Sequence, residues 1–474
     1  MPDELHSLTI AELAPLIQQR KVSPVEVTQA ALDRAEEFGA RYGSIITLLR
    51  EQALEQAKGR EADIMRGGYR GPLDGVPVSV KDNLATAGIR TTLGSKLFEN
   101  QVPADDAFAI AKLRQSGAII IAKDNMHELA GGITTNNATF GRARNPWNLE
   151  LNPGGSSGGT AANVSGRVSY AGLGTDLGGS VRGPAALCGI YGLKASAGRV
   201  STRGLLGSAN TNDYIGPMAR SPRDIGIVLQ AIAGYDMLDP NSVPVSVPNY
   251  QEQLGKPLAG LRAGIPTNFY FDDCVDEVED NFWAAVKALE EFGVETTRIE
   301  LPTLKYAEIL RAVSSAEGFS TFEPHLRDHR DLIADVNVRQ RMLAGQFVLA
   351  RDYIKAQRIQ YLIRQEYLQA LQNVDFMIAP SRNVPPTPPG EKVTIKGTEY
   401  DPSVPGALVI GHNFFICNST GLPSLAAPSG FTKFGLPTGI LMIGRPFDEG
   451  LLLQVSNAYE QVREGRDAVP PGSV

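Results

Sequence analysis

Histidine and cysteine are scarce in this chain, with five of the first and three of the second among 474 residues. Cys188, Cys274 and Cys417 are odd in number and far apart, with no CxxC and no Cys/His pairing. Such spacing argues for a reducing compartment and against a disulfide framework or a zinc site. His6, His127, His325, His329 and His412 fall in no catalytic context. His325 and His329 are four apart but lack the HExxH frame of a metal site. No metal and no cofactor are therefore expected. No run reaches the ~18 to 20 apolar residues of a membrane-spanning helix. Met1-Pro2-Asp3-Glu4 opens without an apolar signal core. The net charge of −7 offers no basic surface to nucleic acid or to an anionic membrane. A soluble cytoplasmic protein is expected, with no nucleic-acid or membrane partner.

What is present suffices for a large buried core: 42% of residues are apolar and 20% charged. Thr9-x-x-Glu12 and Ser23-Pro24-x-Glu26 read as capping boxes, the second with proline at the first helical position. Helical spacing runs from Val25 to Ala31 and from Ile45 to Ala57, so residues 1–65 read as a helical lead-in. After Gly71 the pattern changes. Val76 to Val80 is a short β-rich run, Asp105 to Ser116 is helical, and Gly117 to Ala122 is a wholly apolar strand. Alternation of this kind predicts an α/β fold, with a large mixed, mostly buried central sheet flanked by helices. No fixed-period repeat and no polar linker divides the chain, so one domain spans 1–474. Within it, 71–265 reads as the catalytic core, 277–371 as a helical insertion that shapes the substrate pocket, and 372–474 as the return to the sheet. Pro380 to Pro405 is rich in proline and reads as a surface excursion.

Two glycine-rich stretches carry the chemistry. Pro153-Gly154-Gly155-Ser156-Ser157-Gly158-Gly159-Thr160 runs straight into a helix start, unlike a flexible linker. It matches neither phosphate-binding pattern, GxxxxGK[ST] or GxGxxG. In Gly172 to Arg182, Ser180 follows two glycines at a strand-to-helix junction. Amides turned outward at such a junction can hold a developing oxyanion. A serine nucleophile needs a base, and the histidines offer none. A buried lysine is an alternative, because desolvation makes its neutral amine accessible. Lys81 ends an apolar strand and precedes Asp82-Asn83. Taken alone, a strand-end lysine is more often a solvated charge.

Together, Gly75-Val76-Pro77-Val78-Ser79-Val80-Lys81-Asp82-Asn83, the Gly154–Gly159 stretch and Gly174–Arg182 resemble the amidase signature family, in the same order and at the same spacing. The likeness extends to Asn125-Met126-His127-Glu128-Leu129, Asn145-Pro146-Trp147 and Gly421-Leu422-Pro423, and so covers almost the whole chain. The resemblance implies an amidase that works through a Ser-Ser-Lys triad. Ser180 would attack the amide carbonyl, Ser156 would relay protons, and Lys81, neutral at the start, would be the base. The Gly155–Ser156 peptide would be cis. Amides of Leu177, Gly178, Gly179 and Ser180 would form the oxyanion hole, and Ala130, Gly131 and Gly132 would line the acyl pocket. Ser157 and Asp176 would support the site, with Arg182 orienting the loop or contacting substrate.

Two positions depart from the family pattern. Leu177 replaces a small polar residue, and Ala195 replaces a common proline. The resemblance admits a free-standing amidase that cleaves small carboxamides to acid and ammonia or amine. It also admits the amidotransferase component that takes ammonia from glutamine for misacylated tRNA, bound to partner subunits. Residues 126–137 read closer to arylacetamide and indoleacetamide hydrolases, and the apolar Leu177 points the same way, so the free amidase is the leading expectation. A non-catalytic binding protein would have lost Lys81, Ser156 or Ser180, and all three are present. Oligomeric state is open, with a homodimer the family-level expectation.

Overall fold

Short runs rich in apolar residues make most strands of the central sheet, and helices flank it. The structure is a computed structural model describing residues 2–207, 211–400 and 412–473. In chain order the strands are β1 (Ile45–Leu48), β2 (Pro77–Lys81), β3 (Ile119–Asp124), β4 (Asn136–Asn137), β5 (Gly141–Arg142), β6 (Ala171–Asp176), β7 (Tyr191–Lys194) and β8 (Tyr214–Ala219). They continue with β9 (Arg262–Pro266), β10 (Glu295–Ile299), β11 (Phe376–Pro380), β12 (Val393–Ile395), β13 (Thr398–Tyr400), β14 (Ser424–Phe431) and β15 (Pro437–Ile443).

Eleven of these strands form one sheet, in the order β1-β3-β2-β6-β8-β7-β14-β15-β11-β9-β10. It is mixed. β2 lies parallel to both β3 and β6, whereas β6–β8, β7–β8 and β14–β15 are antiparallel. Every residue of β2, β3, β6, β7, β8, β11 and β15 is buried, as expected where helices cover both faces. The short pairs β4–β5 and β12–β13 stand apart from it.

Both predicted capping boxes are present, at Thr9/Glu12 and Ser23/Glu26. The lead-in is not wholly helical. Ile45–Leu48, expected as the start of a helix, is an edge strand antiparallel to β3, and the helix runs from Arg50 to Met65. Three β-branched residues in a row, Ile45-Ile46-Thr47, fit a pleated edge better than a helical turn. The 277–371 stretch likewise contributes β10 beside β9 before turning helical. In the proline-rich region, Ser381, Arg382, Asn383 and Val384 are buried rather than part of a surface excursion. Residues 401–405 lie outside the described residues.

Because β2 and β6 run side by side in the same direction, Lys81 and Asp176 emerge at the same edge of the sheet. The helix Gly158–Ser165 packs there, and the glycines before it set how closely it approaches. A Cβ on Gly159 would lie 2.3 Å from the carbonyl oxygen of Asn125 and 2.6 Å from that of Ser44. Backbone cannot yield as a side-chain tip can, so this glycine serves packing. Gly159→Ala should destabilise the fold by about 1 to 3 kcal/mol, the usual range for overpacking. The measurement is the urea midpoint at unchanged slope, and a midpoint equal to that of the unsubstituted chain would contradict the packing role.

Candidate active site

Lys81, at the end of β2, lies on a fully buried strand and is itself inaccessible. Its Nζ donates to Ser156 Oγ at 2.7 Å, to Thr175 Oγ1 at 2.7 Å and to the Thr175 carbonyl at 3.4 Å. Lys123 and Lys194 are also buried, which allows a comparison. Lys123 donates to the Leu84 carbonyl and to Thr86 and Thr91 hydroxyls, and Lys194 to the Ala195 carbonyl. Of these three lysines, Lys81 is the one that meets a serine hydroxyl. Burial pushes its ammonium pKa well down, against the pull of Asp213 and Asp176.

Ser156 is fully buried and is joined to Gly155 by a cis peptide bond. Ser180 is also buried but retains 9% of its surface, whereas Ser156 has none. The two serine segments are tied together, since the Ser157 amide donates to the Ser180 carbonyl at 3.3 Å. Ser157 Oγ donates to the Thr175 carbonyl at 3.2 Å, binding the segment to β6. The structure thus brings Lys81, Ser156 and Ser180 to one place, with a direct hydrogen bond on the Lys81–Ser156 side.

The loop that carries Ser180 is built around Asp176. Its carboxylate accepts from the Gly179 amide at 2.7 Å, the Val181 amide at 3.1 Å and the Arg182 amide at 3.3 Å. It also accepts from Arg182 Nε at 2.9 Å, Arg182 Nη2 at 2.8 Å and Asn418 Nδ2 at 2.9 Å. Burial works against this charge, but the Arg182 guanidinium and the converging hydrogen bonds outweigh it and hold the carboxyl well below the usual range. The Gly179 amide, expected among the oxyanion donors, is thereby turned to Asp176. The carboxylate does not take the amides of Leu177, Gly178 or Ser180. Gly179 has φ +115°, and a Cβ there would meet Phe414 at 2.6 Å, so both conformation and space call for glycine.

Arg182 has no exposed surface and also donates to the Phe414 carbonyl, Ser424 Oγ and Asn418 Oδ1. Its guanidinium donors are all directed inward. Of the two roles expected for it, the structure fits the loop tie, since a sealed side chain cannot touch substrate.

Of Ala130, Gly131 and Gly132, it is Gly132 that the structure places against Gly155, the residue before Ser156. A Cβ on Gly155 would fall 2.7 Å from Thr134 N and 2.9 Å from the Gly132 carbonyl oxygen, and the His127 amide donates to the Ser156 carbonyl at 3.0 Å. Leu129 and Ala130 both have positive φ, at 52° and 57°. The His127 ring points away from the serines, to Asp335 Oδ2 at 3.0 Å. Glu128 accepts from the Ala334 and Asp335 amides, and Arg341 donates to the Gly131 carbonyl. These bonds pin the loop to residues 334–341 of the helical stretch.

Three further site residues were not singled out in the sequence, two of them inside the quoted motifs and Asp213 outside any. Thr175 accepts from both Lys81 and Asn83 Nδ2, and its place inside Gly174-Thr175-Asp176 is the available signal. Asn83 follows Lys81 closely in sequence. Asp213, just before β8, opposes the start of the Ser180 loop because Tyr214 pairs with Asp176. Asp213 Oδ1 accepts from the Tyr214 amide, while Oδ2 has no hydrogen-bond partner. Burial pushes this carboxyl up, against the pull of Lys81. Among the described residues no group of three or more His, Cys, Asp or Glu side chains stands together to hold a metal. No helix among them is long and apolar enough to cross a membrane.

Comparison with known proteins agrees with this geometry at the family level. The family described as Amidase matches residues 26–453. The A-type subunit of the glutamyl-tRNA(Gln) amidotransferase of Carboxydothermus hydrogenoformans is 36% identical over 98% of this chain and 99% of its own. A solved structure described as a vestigial protein complex revealing the evolutionary origins of an s-triazine catabolic enzyme is 27% identical. It superposes with a TM-score of 0.91 over 96% of this chain and 98% of its own. A bacterial aryl acylamidase of the amidase signature family is 25% identical, with a TM-score of 0.88 over 96% of each chain. The first of these corrects one expectation. Net charge argued against a nucleic-acid partner and the free-amidase reading implied a small-molecule substrate alone, yet a relative matched along 99% of its length is named as part of a tRNA amidotransferase. Bulk charge reports only on what the chain's own surface attracts, and one component of a complex can serve RNA through its partners. This chain belongs to the amidase family and is a hydrolase acting on amide C–N bonds.

Proposed function

We propose that this chain is the glutamine-hydrolysing component of an amidotransferase, working with partner subunits on misacylated tRNA. The observation that carries this reading is the end-to-end identity of 36% to the glutamyl-tRNA(Gln) amidotransferase relative. A second reading, a chain that releases ammonia or amine from small carboxamides unaided, is favoured by the superposition on the aryl acylamidase at a TM-score of 0.88. Both readings use the same chemistry. Ser180 Oγ attacks the amide carbonyl and its proton passes to Ser156 Oγ, whose own proton goes to neutral Lys81 Nζ. The oxyanion sits on the amides of Leu177, Gly178 and Ser180. Lys81 then returns its proton through Ser156 to the departing nitrogen, leaving an acyl-enzyme that water hydrolyses by the same relay in reverse. Burial supports the assignment of Lys81, because it lowers the cost of the uncharged amine. We further propose that the whole chain is one domain and that residues 277–371 shape its pocket, as their clasp on residues 127–132 suggests.

Ser180→Ala should abolish ammonia release, measured on glutamine and on a panel of simple amides. If the purified chain hydrolyses simple amides unaided and added partner subunits leave glutamine untouched, the amidotransferase reading fails. The pH profile of kcat/KM tests the base. Lysine ordinarily titrates near ~10.4, and since burial lowers that value the acid limb should fall well below it, with activity lost as Lys81 takes a proton. A limb above about pH 9 would remove Lys81 from this role. Lys81→Ala should cost far more on amides than on activated esters, whose leaving groups need no proton, and equal losses would have the same consequence. Asp176→Asn leaves Arg182 buried without its counter-charge, a defect typically costing about 3 to 5 kcal/mol. A melting temperature equal to that of the unsubstituted chain would show that the loop does not depend on the pair.

A further inference from the structure

Among the described residues four arginines are buried: Arg60, Arg182, Arg199 and Arg382. Three of them carry a counter-charge. Arg60 pairs with Asp74 at 2.6 Å, Arg182 with Asp176 at 2.8 Å and Arg199 with Glu449 at 3.4 Å. Arg382 has neither an ion pair nor a hydrogen bond among the described residues, and its Nε is sealed without a partner. Burial pushes its pKa down to about 10, and no carboxylate pulls it back up. The side chain is still a cation at neutral pH, with five donors in a fixed fork. A buried charge without compensation is strongly destabilising, so an open guanidinium at this place calls for an anion from outside.

Arg382 lies two residues past the end of β11 and beside the nucleophile. Its Nη1 is 3.4 Å from where a Cβ on Gly183 would stand, and that position is also 3.4 Å from Phe414 Cε2. Because residue 183 is glycine, the helix after Ser180 offers no side chain to cover the guanidinium there. The Gly183 amide donates to the Gly179 carbonyl, so Ser180 and Gly183 share one helical turn. Residues three apart on such a turn keep their Cβ positions about 5 to 6 Å apart, which sets Nη1 within roughly 9 Å of the Ser180 side chain. The other flank of the segment faces the Ser156 loop. Val384 is buried with Ile133 packed against its cluster, and the Ile133 carbonyl carbon would lie 2.7 Å from a Cβ on Gly155. Backbone bonds hold the segment in place. The Asn383 carbonyl accepts from the Val275 amide at 3.0 Å, and Asn383 Nδ2 donates to the Asp272 carbonyl at 2.9 Å.

We propose that Arg382 is the cation of a small-anion site between the Ser180 turn and the Ser156 loop, and that its ligand is a carboxylate. A guanidinium fork matches the two oxygens of that group. The carboxylate comes either from a free small acid or from a second acid group on the amide substrate. The second source rests on the amide hydrolysis assigned to Ser180, and the first does not. Arg382 is a binding residue here and takes no part in the proton relay.

The test begins with the full chain carrying Ser180→Ala, in a cationic buffer with chloride as the only anion. Exchanging chloride for formate at constant ionic strength should raise the melting temperature by about 2 °C, as expected for a ligand near ten times its Kd. Arg382→Met removes the charge and keeps an unbranched apolar stem. In chloride this variant should melt no lower than the parent, and formate should leave it unmoved. Arg382→Lys should keep part of the response. The source is read from kcat/KM for succinamate and butyramide on the chain with Ser180 intact, with and without partner subunits. A preference for succinamate of about tenfold or more, the effect of one charged hydrogen-bonded contact, assigns the carboxylate to the substrate if Arg382→Met abolishes it. Equal values beside an intact formate response assign it to a free acid. A parent that neither responds to formate nor prefers succinamate overturns the proposal. So does a response or preference that survives Arg382→Met, or a fall in the melting temperature of that variant in chloride, which would make the guanidinium part of the packing. If neither amide nor glutamine is hydrolysed while the formate response depends on Arg382, the site stands and the hydrolysis assigned to Ser180 falls.

Discussion

The buried ion pair between Asp176 and Arg182 is the constraint on which the site depends. Two charges with no solvent contact carry a large desolvation cost, repaid only when their hydrogen-bonding capacity is nearly filled. Here the carboxylate collects three backbone amides, two guanidinium donors and the Asn418 amide, while the guanidinium also reaches a carbonyl, a hydroxyl and Asn418. The backbone from Gly179 to Arg182 is consequently wound around a single side chain. That winding turns the Gly179 amide inward. The pair therefore acts on the chemistry by holding backbone, without touching a reactant.

The lysine follows the opposite electrostatic logic. Asp176 keeps its charge because a partner and many donors surround it, whereas Lys81 is buried with hydroxyls and a carbonyl as its hydrogen-bond partners. The Asp213 carboxyl beside it is itself held up by burial. Neither charge is stabilised as strongly as those of the Asp176–Arg182 pair, and burial favours the uncharged form of both groups. A relay needs an uncharged amine, because a base fixed as a cation could not accept a proton. The scarcity of histidine thus has a structural answer in a lysine sealed at a strand end. The nearest histidine by backbone, His127, aims its ring at Asp335 instead.

Much of this is legible in the chain. The capping boxes at Thr9/Glu12 and Ser23/Glu26 form as expected because they are local, with partners three residues apart. The buried strands at Val76–Val80 and Gly117–Ala122 announce themselves by short runs rich in valine and isoleucine, although each is displaced by a residue or two at its ends. Ile45–Leu48 defeats the helical reading because a short apolar run fits a helix or a strand equally well, and only pairing with β3 decides. Asp213 escapes detection because its importance comes from lying near Lys81 in the assembled fold, and no local pattern encodes such a neighbour.

The sequence by itself determined the family, the α/β class and the residues available for chemistry, because these rest on composition and on fixed spacings along the chain. Tertiary structure decided what each residue does. It closed Lys81 off from water, spent the Gly179 amide on Asp176 and sealed Arg182 away from substrate. It also laid residues 334–341 over the loop that holds Ala130, Gly131 and Gly132. The physical reason is that pKa shifts, hydrogen-bond partners and pocket walls arise from groups far apart in the chain. Arg341 and Gly131 are 210 residues apart and meet only when the sheet and its helical cover are assembled.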